Sequence, residues 1–327
     1  MKQLRFGIVG TGCIAHRFAE AIRNVPEAKL TAVASRKQET ADAFGDEFEI
    51  PLRFGSYEAM AASDAIDAAY IAVPHSGHIT CSCMMMNGGK HVLCEKPMAV
   101  NAAEAEAMFA SAQKNGVFLM EAMWARFVPG TLRLLEIVQS GQLGEILGAE
   151  GKFCYTMDED EMGHHVFKPE HGGGSLLDVG VYGLNFASWY LGKDVENICT
   201  QSTLFGGVDC HTCMLLQYKS GAIADLSSAI LLRKPNEGAV YGTKGYVRMN
   251  RFYAPQALEV HMQNGQTETI ETPYRGNGFE EQIAHMCACV EKGLTQSPLH
   301  PPEQTVFITR QMDAIRRKIG VRYPQDV

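Results

Sequence analysis

LRFGIVGTGCIA, residues 4–15, packs an apolar run, a glycine-marked turn and the start of a helical pattern into one short stretch. LRFGIVG (4–10) reads as a strand, and residues 14–24 as a helix stopped near Pro26. Between them Gly10-Thr11-Gly12-Cys13-Ile14-Ala15 has the form G-x-G-x-x-A. The first glycine permits the tight turn and the second lets backbone approach a pyrophosphate. The small third residue allows close helix packing, and the helix amino end offers unpaired N–H groups and a positive dipole end. The turn is a candidate dinucleotide site.

Outward from this turn, short apolar runs alternate with helical patterns. Strands are expected at 29–35, 68–73, 91–95 and 117–122, and helices at 38–48, 79–87 and 102–115, the last opened by an Asn101/Glu104 capping box. Alternating strands and helices imply a doubly wound parallel sheet covered on both faces, here a Rossmann domain over residues 1–122. From 123 the pattern changes to an α+β domain, residues 123–327. Helices are expected at 129–141 and 173–190, then near 279–292 and 303–318. Strands are expected at 146–157, 196–205, 211–218, 222–230, 239–249, 257–263 and 266–271. Glycine-bearing turns such as Lys219-Ser220-Gly221 and Asn264-Gly265 favour antiparallel pairing, so the fold class is α/β with a second, large, mostly antiparallel open sheet.

Bulk composition narrows the function. The chain has 327 residues, enough for two domains, with 46% hydrophobic and 20% charged residues. Its net charge of −8 (29 Lys+Arg against 37 Asp+Glu) argues against nucleic acid and anionic membranes as partners. No apolar run approaches the roughly 18 residues of a membrane span. MKQLRFGIVG has no signal-peptide layout, and a cytoplasmic protein with reduced thiols is expected from its ten cysteines. Cys81/Cys83, Cys287/Cys289 and Cys210-His211-Thr212-Cys213 lack a second pair at zinc-site spacing, so no metal is expected. His164, His165 and His171, with Asp158, Glu159 and Asp160, read as a polar loop and not as a metal site.

In a doubly wound sheet, ligands collect beyond the carboxyl ends of the strands. The second strand ends Ala34-Ser35-Arg36-Lys37, where a site for NAD usually carries an acidic residue. Ser35 and Arg36 can instead donate to a 2′-phosphate, which favours NADP over NAD; Arg36 stacked on adenine is the alternative. The strand at 68–73 delivers Val73, Pro74 and His78 to the same crevice, with His78 either touching cofactor or capping the next helix. Lys96 follows the strand at 91–95, next to Glu95. An ammonium held there costs desolvation unless something nearby uses its charge.

AVPHSGH (72–78), GKHVLCEKP (89–97) and GGGSLLDVGVYGLN (172–185), with the glycine turn, resemble the Gfo/Idh/MocA oxidoreductases over essentially the whole chain. The resemblance implies that Lys96, in the E-K-P motif, contacts both nicotinamide and substrate. Many relatives, inositol dehydrogenases among them, carry Asp then His where this chain has Asp178 and Tyr182. The tyrosine, MEAMWARFVP (120–129) and the closing IGVRYP (319–324) look like the dimeric dihydrodiol dehydrogenase branch, which also oxidises D-xylose with NADP. Arg126 in that stretch is expected to shape the cofactor site.

Asp178 and Tyr182, spaced i, i+4, are expected on one helix face. A free tyrosine has a pKa near 10 and is a poor base at neutral pH, but a nearby ammonium favours its phenolate. Tyr182 is therefore expected to exchange the substrate hydroxyl proton, with Lys96 assisting it and hydrogen-bonding the reacting oxygen. Asp178 positions substrate or holds Lys96, and Glu95 orients the lysine or its loop. The expected activity is hydride transfer between nicotinamide and a secondary alcohol of a sugar, polyol or cyclic trans-diol. A non-catalytic NADP-binding sensor is the alternative, against which retention of Lys96 and Tyr182 speaks. Phe153, Tyr155, Phe167, Lys168 and His171 are candidate pocket residues. An open sheet with one bare face further implies a homodimer or higher homo-oligomer.

Overall fold

The structure is a computed structural model and describes residues 3–157 and 164–326. Asp158, Glu159 and Asp160, grouped above with the loop histidines, lie outside the described residues. The chain forms two compact units, one of Met1–Trp124 with Arg275–Val306, the other of Ala125–Tyr274 with Phe307–Val327. Among the described residues no helix is long and apolar enough to cross a membrane.

The first unit alternates strand and helix: β1 (Leu4–Val9), α1 (Cys13–Ile22), β2 (Ala28–Ala34), α2 (Gln38–Phe48), β3 (Leu52–Phe54), α3 (Tyr57–Ala61), β4 (Ala68–Ile71), α4 (His78–Asn87), β5 (His91–Glu95), α5 (Ala102–Asn115) and β6 (Leu119–Ala122). The strands pair in parallel in the order β3-β2-β1-β4-β5-β6. The chain winds outward from β1 through β2 to β3, then returns to the other side of β1 as β4. That reversal makes β1/β4 the switch point, where a doubly wound sheet opens a crevice at its carboxyl edge. Every residue of β4 is buried, as a strand covered on both faces requires.

Asn101 caps α5 by accepting the Glu104 N–H at 3.0 Å, and Glu104 reaches back to the Val100 N–H at 3.3 Å. The expected strand at 117–122 begins two residues later, because the Val117 N–H still closes the end of α5 on the Ala112 carbonyl. β3 and α3 are absent from the sequence reading, since segments this short carry too little periodicity to register.

The second unit holds α6 (Pro129–Gln139), β7 (Ile146–Cys154), α7 (Val181–Leu191), β8 (Val195–Phe205), β9 (Val208–Tyr218), β10 (Ile223–Ala229), β11 (Glu237–Gly242), β12 (Gly245–Asn250), β13 (Ala257–Met262) and β14 (Thr267–Glu271). Its eight strands run in the order β14-β13-β12-β11-β7-β10-β9-β8. All neighbours are antiparallel except β7 and β10. The single strand expected at 239–249 is a hairpin, β11 turning into β12 at Thr243-Lys244. Gly242-Thr243-Lys244-Gly245 interrupts the apolar pattern between the two strands and is a local turn signal. α7 lies against β7 and β10 on one sheet face.

The expected helix 173–190 starts later and in two parts. Leu176–Gly180 is a π-helical turn in which the Val181 N–H bonds the Leu176 carbonyl, and α7 continues from it. A π turn is wider than an α turn, so Asp178 and Tyr182 do not keep ordinary i, i+4 spacing. Beyond β14 the chain adds α8 (Glu280–Glu291) to the first unit, and α9 (Pro302–Ile319) begins there. The Leu119 N–H of edge strand β6 donates to the Thr295 carbonyl at 3.2 Å, so the return segment covers part of that edge.

Candidate functional site

Gly10 sits at φ 100°, in the left-handed region, and a Cβ there would lie 2.6 Å from the Ala72 carbonyl oxygen beyond β4. Only glycine lets the turn after β1 pass this close to the neighbouring strand. Gly12 is different: a Cβ on it would meet nothing within 4 Å. It starts α1 without a side-chain cap, and the first turn contains no acidic residue. Thr11 and Ile14 are half-buried, while Gly12 and Cys13 are exposed. The positive helix end thus faces open space that a Cβ would partly fill, and a pyrophosphate fits there.

Ser35, directly after β2, is 9% exposed, and its N–H donates to the Phe54 carbonyl at 3.0 Å. Arg36 and Lys37 are exposed beside it. Past β4, Val73 is half-buried and Pro74 exposed, and the Pro74 carbonyl accepts the Gly77 N–H at 2.8 Å.

His78 is fully buried, with Nε2 2.9 Å from the Val73 carbonyl and Nδ1 3.0 Å from the Pro97 carbonyl. Burial pulls its pKa down to about 4 against the two carbonyls that favour a charged ring, and the Lys96 charge adds to the lowering. A neutral imidazole has one N–H, so it donates to one of these carbonyls. His78 ties the segment after β4 to the loop after β5.

Glu95 ends β5 at 4% exposure. It accepts the Tyr70 hydroxyl on one oxygen and the Lys96 backbone N–H, at 3.1 Å, on the other. Burial pushes its pKa up to about 7, against the opposing effects of Lys96, Tyr70 and Arg17. Glu95 thereby holds the Lys96 backbone. Lys96 itself is half-buried.

In the second unit Asp178 accepts the Tyr155 hydroxyl at 2.6 Å. Tyr182, 6% exposed, has its ring centroid 5.4 Å from Phe153 and 5.7 Å from Tyr253. Phe153 and Tyr253 stack at 3.9 Å with an interplanar angle of 5°. Asp178 and Tyr182 therefore share an aromatic surround supplied by the end of β7 and by the segment after β12. Phe167 packs instead with Val166, Cys210 and Ile230 in a small core, and Lys168 and His171 are half-buried. The Arg126 guanidinium lies 5.8 Å over the Trp189 ring, with Nη1 buried and without a hydrogen-bond partner among the described residues. Burial lowers its pKa.

Asp209 on β9 holds the start of the π turn. One of its oxygens accepts from the Leu176 N–H at 2.8 Å and from the Ser175 and Thr212 hydroxyls, each at 2.7 Å. Burial pushes its pKa up to about 6 despite these donors. Gly174, at φ 110°, leaves room for it, since a Cβ there would lie 2.2 Å from Asp209 Oδ1. Tyr323, in the closing IGVRYP, donates to the Gly173 carbonyl. Sequence reasoning missed Asp209 and Tyr253. A carboxylate inside a buried strand was the available signal for the first; the second sits in a turn with no periodic pattern.

These arrangements define a dinucleotide-binding α/β protein joined to an open-sheet unit with an acid–tyrosine site. Residues 4–123 match the family model described as an oxidoreductase family with an NAD-binding Rossmann fold, and residues 131–248 match the GFO/IDH/MocA C-terminal domain. A mouse (Mus musculus) protein named trans-1,2-dihydrobenzene-1,2-diol dehydrogenase is 35% identical over 99% of both chains. Among solved structures, an aldose-aldose oxidoreductase from Caulobacter crescentus aligns with a TM-score of 0.88 at 26% identity over 97% of each chain. A 3-ketoreductase from Actinomadura kijaniata, solved with NADP, aligns at 0.87 and 27% identity over 97% of this chain and 98% of that one. The chain belongs to the Gfo/Idh/MocA family of oxidoreductases, and its first 120 or so residues are the NAD-binding Rossmann part.

Proposed function

We propose that this oxidoreductase is an NADP-preferring dehydrogenase acting on a secondary alcohol of a sugar, polyol or cyclic trans-diol. The observation that carries the substrate class is the full-length similarity to a mouse protein named for a cyclic trans-diol. The aldose name of one structural relative supports the sugar half of the reading, and the ketoreductase name of another supports alcohol–ketone chemistry. The first unit binds dinucleotide and the second binds substrate.

When bound, the nicotinamide supplies the hydride acceptor or donor. The protein's own residues do the rest. The 10–14 turn receives pyrophosphate on backbone N–H groups, with Val73 and Pro74 beside it. Ser35 and Arg36 donate to a 2′-phosphate. Arg126, whose buried Nη1 lacks a partner among the described residues, offers a further donor to the cofactor. His78 acts through the carbonyl it donates to, that of Val73 or Pro97, and Glu95 through the backbone of Lys96. Lys96 hydrogen-bonds the reacting oxygen and stabilises negative charge developing on it. Tyr182 takes or returns the hydroxyl proton, and Asp178, already bonded to Tyr155, positions the substrate hydroxyls.

We infer a homodimer through the outer sheet face. Ile223 on β10 and Tyr241 on β11 flank Gly148 of β7 in register, Tyr246 pairs with Tyr241, and Leu215 lies on the same face. Leu215, Ile223, Tyr241 and Tyr246 are 38% to 51% exposed, a large apolar face for a lone chain. The cytoplasm is the compartment we infer, because ten cysteines stand as free thiols and a reducing environment keeps them so.

Initial rates with NADP and NAD separately, over aldoses, inositols and cyclic trans-diols, test the activity. Turnover confined to other alcohol classes would overturn the substrate reading. For the cofactor, Arg36→Ala should weaken NADP by roughly 1.5–3 kcal/mol, the cost of one charge-assisted contact, and NAD far less. Equal loss for both would assign Arg36 to adenine stacking.

A further inference from the structure

Three successive residues of the loop after β5 each have a backbone atom in contact with a buried ionisable side chain. Glu95 accepts the Lys96 N–H at 3.1 Å, His78 Nδ1 meets the Pro97 carbonyl at 3.0 Å, and Glu121 Oε1 accepts the Met98 N–H at 3.0 Å. Glu121 belongs to β6 and is 2% exposed. Its second oxygen meets His300 Nε2 at 2.9 Å and accepts the Thr305 hydroxyl at 3.0 Å. His300 and Thr305 are buried, and both come from the Arg275–Val306 return.

A buried carboxylate is expensive unless it is paired and hydrogen-bonded. Burial pushes the Glu121 pKa up, but His300, the Met98 N–H and Thr305 together outweigh it and hold the pKa below its ordinary value. The return segment has other attachments, namely the Leu119–Thr295 backbone bond and the apolar packing of Val306. Docking that segment therefore does not require a charged pair. What the pair adds is a fixed acceptor for the Met98 N–H, two residues past Lys96. Glu95 tethers only the near side of the loop. With the far side fixed as well, the direction in which the Lys96 side chain leaves the backbone is set.

We propose that Glu121 and His300 are positioning residues for the reaction, fixing the 96–98 backbone and through it the Lys96 ammonium. This rests on Lys96 acting at the reacting oxygen, as above. Misplacing a reacting group by about 1 Å can cost on the order of 10²-fold in rate, so the pair should be visible in kcat.

The test compares Lys96→Ala, Glu121→Gln, His300→Asn and Thr305→Val, together with Glu121→Gln in the Lys96→Ala background. Each is measured for turnover with NADP and the best substrate of the panel, for NADPH binding by fluorescence, and for melting temperature. Glu121→Gln and His300→Asn should lower kcat by about 10–100-fold while NADPH affinity changes by less than about threefold. In the Lys96→Ala background Glu121→Gln should add almost nothing, since its effect is routed through the missing ammonium. If Lys96→Ala cuts turnover to a measurable residual rate while folded Glu121→Gln keeps normal kcat, or lowers the wild-type and the residual rate by the same factor, the positioning role is overturned. Normal turnover in Lys96→Ala alone would remove the lysine assignment, and this inference with it, through a separate measurement. Should Glu121→Gln fail to fold, Thr305→Val keeps the Glu121–His300 contact and removes one hydroxyl. It should then show a several-fold kcat loss that disappears in the Lys96→Ala background, and a loss that persists there would overturn the proposal.

Discussion

At the scale of single residues, the proposed chemistry rests on Lys96 and Tyr182, and their coupling is measurable. If they act as one unit, Lys96→Ala and Tyr182→Phe should each collapse turnover, and the double variant should be little worse than either. Tyr182→Phe removes only a hydroxyl, so folding and NADPH binding should survive while rate falls on the order of 10²–10⁴-fold. The basic limb of its pH–rate profile should differ from that of the wild type. Near-normal turnover with an unchanged profile would pass the proton role to Lys96 or a histidine. Glu95 makes a second prediction at this scale. Its folded pKa of about 7 lies above the ordinary carboxylate value, so the folded chain holds a proton that the unfolded chain releases near pH 4.5. That contribution to stability is full below the unfolded pKa and is lost as pH rises through about 7, by roughly 3 kcal/mol. Asp209, pushed up to about 6, adds a slope of the same sign. Thermal melts from pH 5 to 8 should therefore fall more steeply for wild type than for Glu95→Gln. Parallel curves would show that Glu95 is ionised throughout.

At the scale of elements, the turn from β1 into α1 separates a folding glycine from a binding glycine. Gly10→Ala places a Cβ 2.6 Å from the Ala72 carbonyl oxygen at φ 100°, so it should cost roughly 1–3 kcal/mol of stability. Gly12, at φ −78° with nothing within 4 Å of its Cβ position, should accept alanine within about 0.5 kcal/mol. The same Cβ projects into the space read as the pyrophosphate cradle, so Gly12→Ala should weaken NADPH binding by about tenfold or more. Calorimetric melts and NADPH titrations on the two variants check the pair of outcomes. Gly12→Ala with unchanged affinity would remove the cradle from this turn. The π turn at Leu176–Gly180 is a matching case in the second unit, because a glycine at 174 and the Asp209 carboxylate define its start.

At the scale of the molecule, the open face of the eight-stranded sheet predicts self-association. Leu215→Lys with Ile223→Lys replaces two exposed apolar side chains of this face with charges without touching the opposite face, where α7 packs. Light scattering should show wild type as a dimer or higher oligomer and the double variant shifted toward monomer, with circular dichroism unchanged. A wild-type monomer at micromolar concentration would remove the dimer.

Much of this molecule was legible one residue at a time. The G-x-G-x-x-A turn, the parallel α/β alternation, the Lys96 motif and the Asp178/Tyr182 pair all declare themselves because their signals are local. Backbone freedom, apolar period and motif spacing act within a few residues, and no partner elsewhere in the chain is needed to express them. Non-local facts were illegible for the converse reason. The parallel β7–β10 pair joins strands far apart in the chain. His78 shows a histidine's chemistry in sequence, but only burial between two carbonyls makes it a neutral tie. The start of the π turn is held by Asp209, which arrives from β9, and Glu121 is anchored by His300, which returns to it across 179 residues. Sequence alone determined the fold class and the oxidoreductase family, and it marked the segments proposed to carry the chemistry. Tertiary structure decided burial and partners, which are properties of residues brought together from distant positions in the chain.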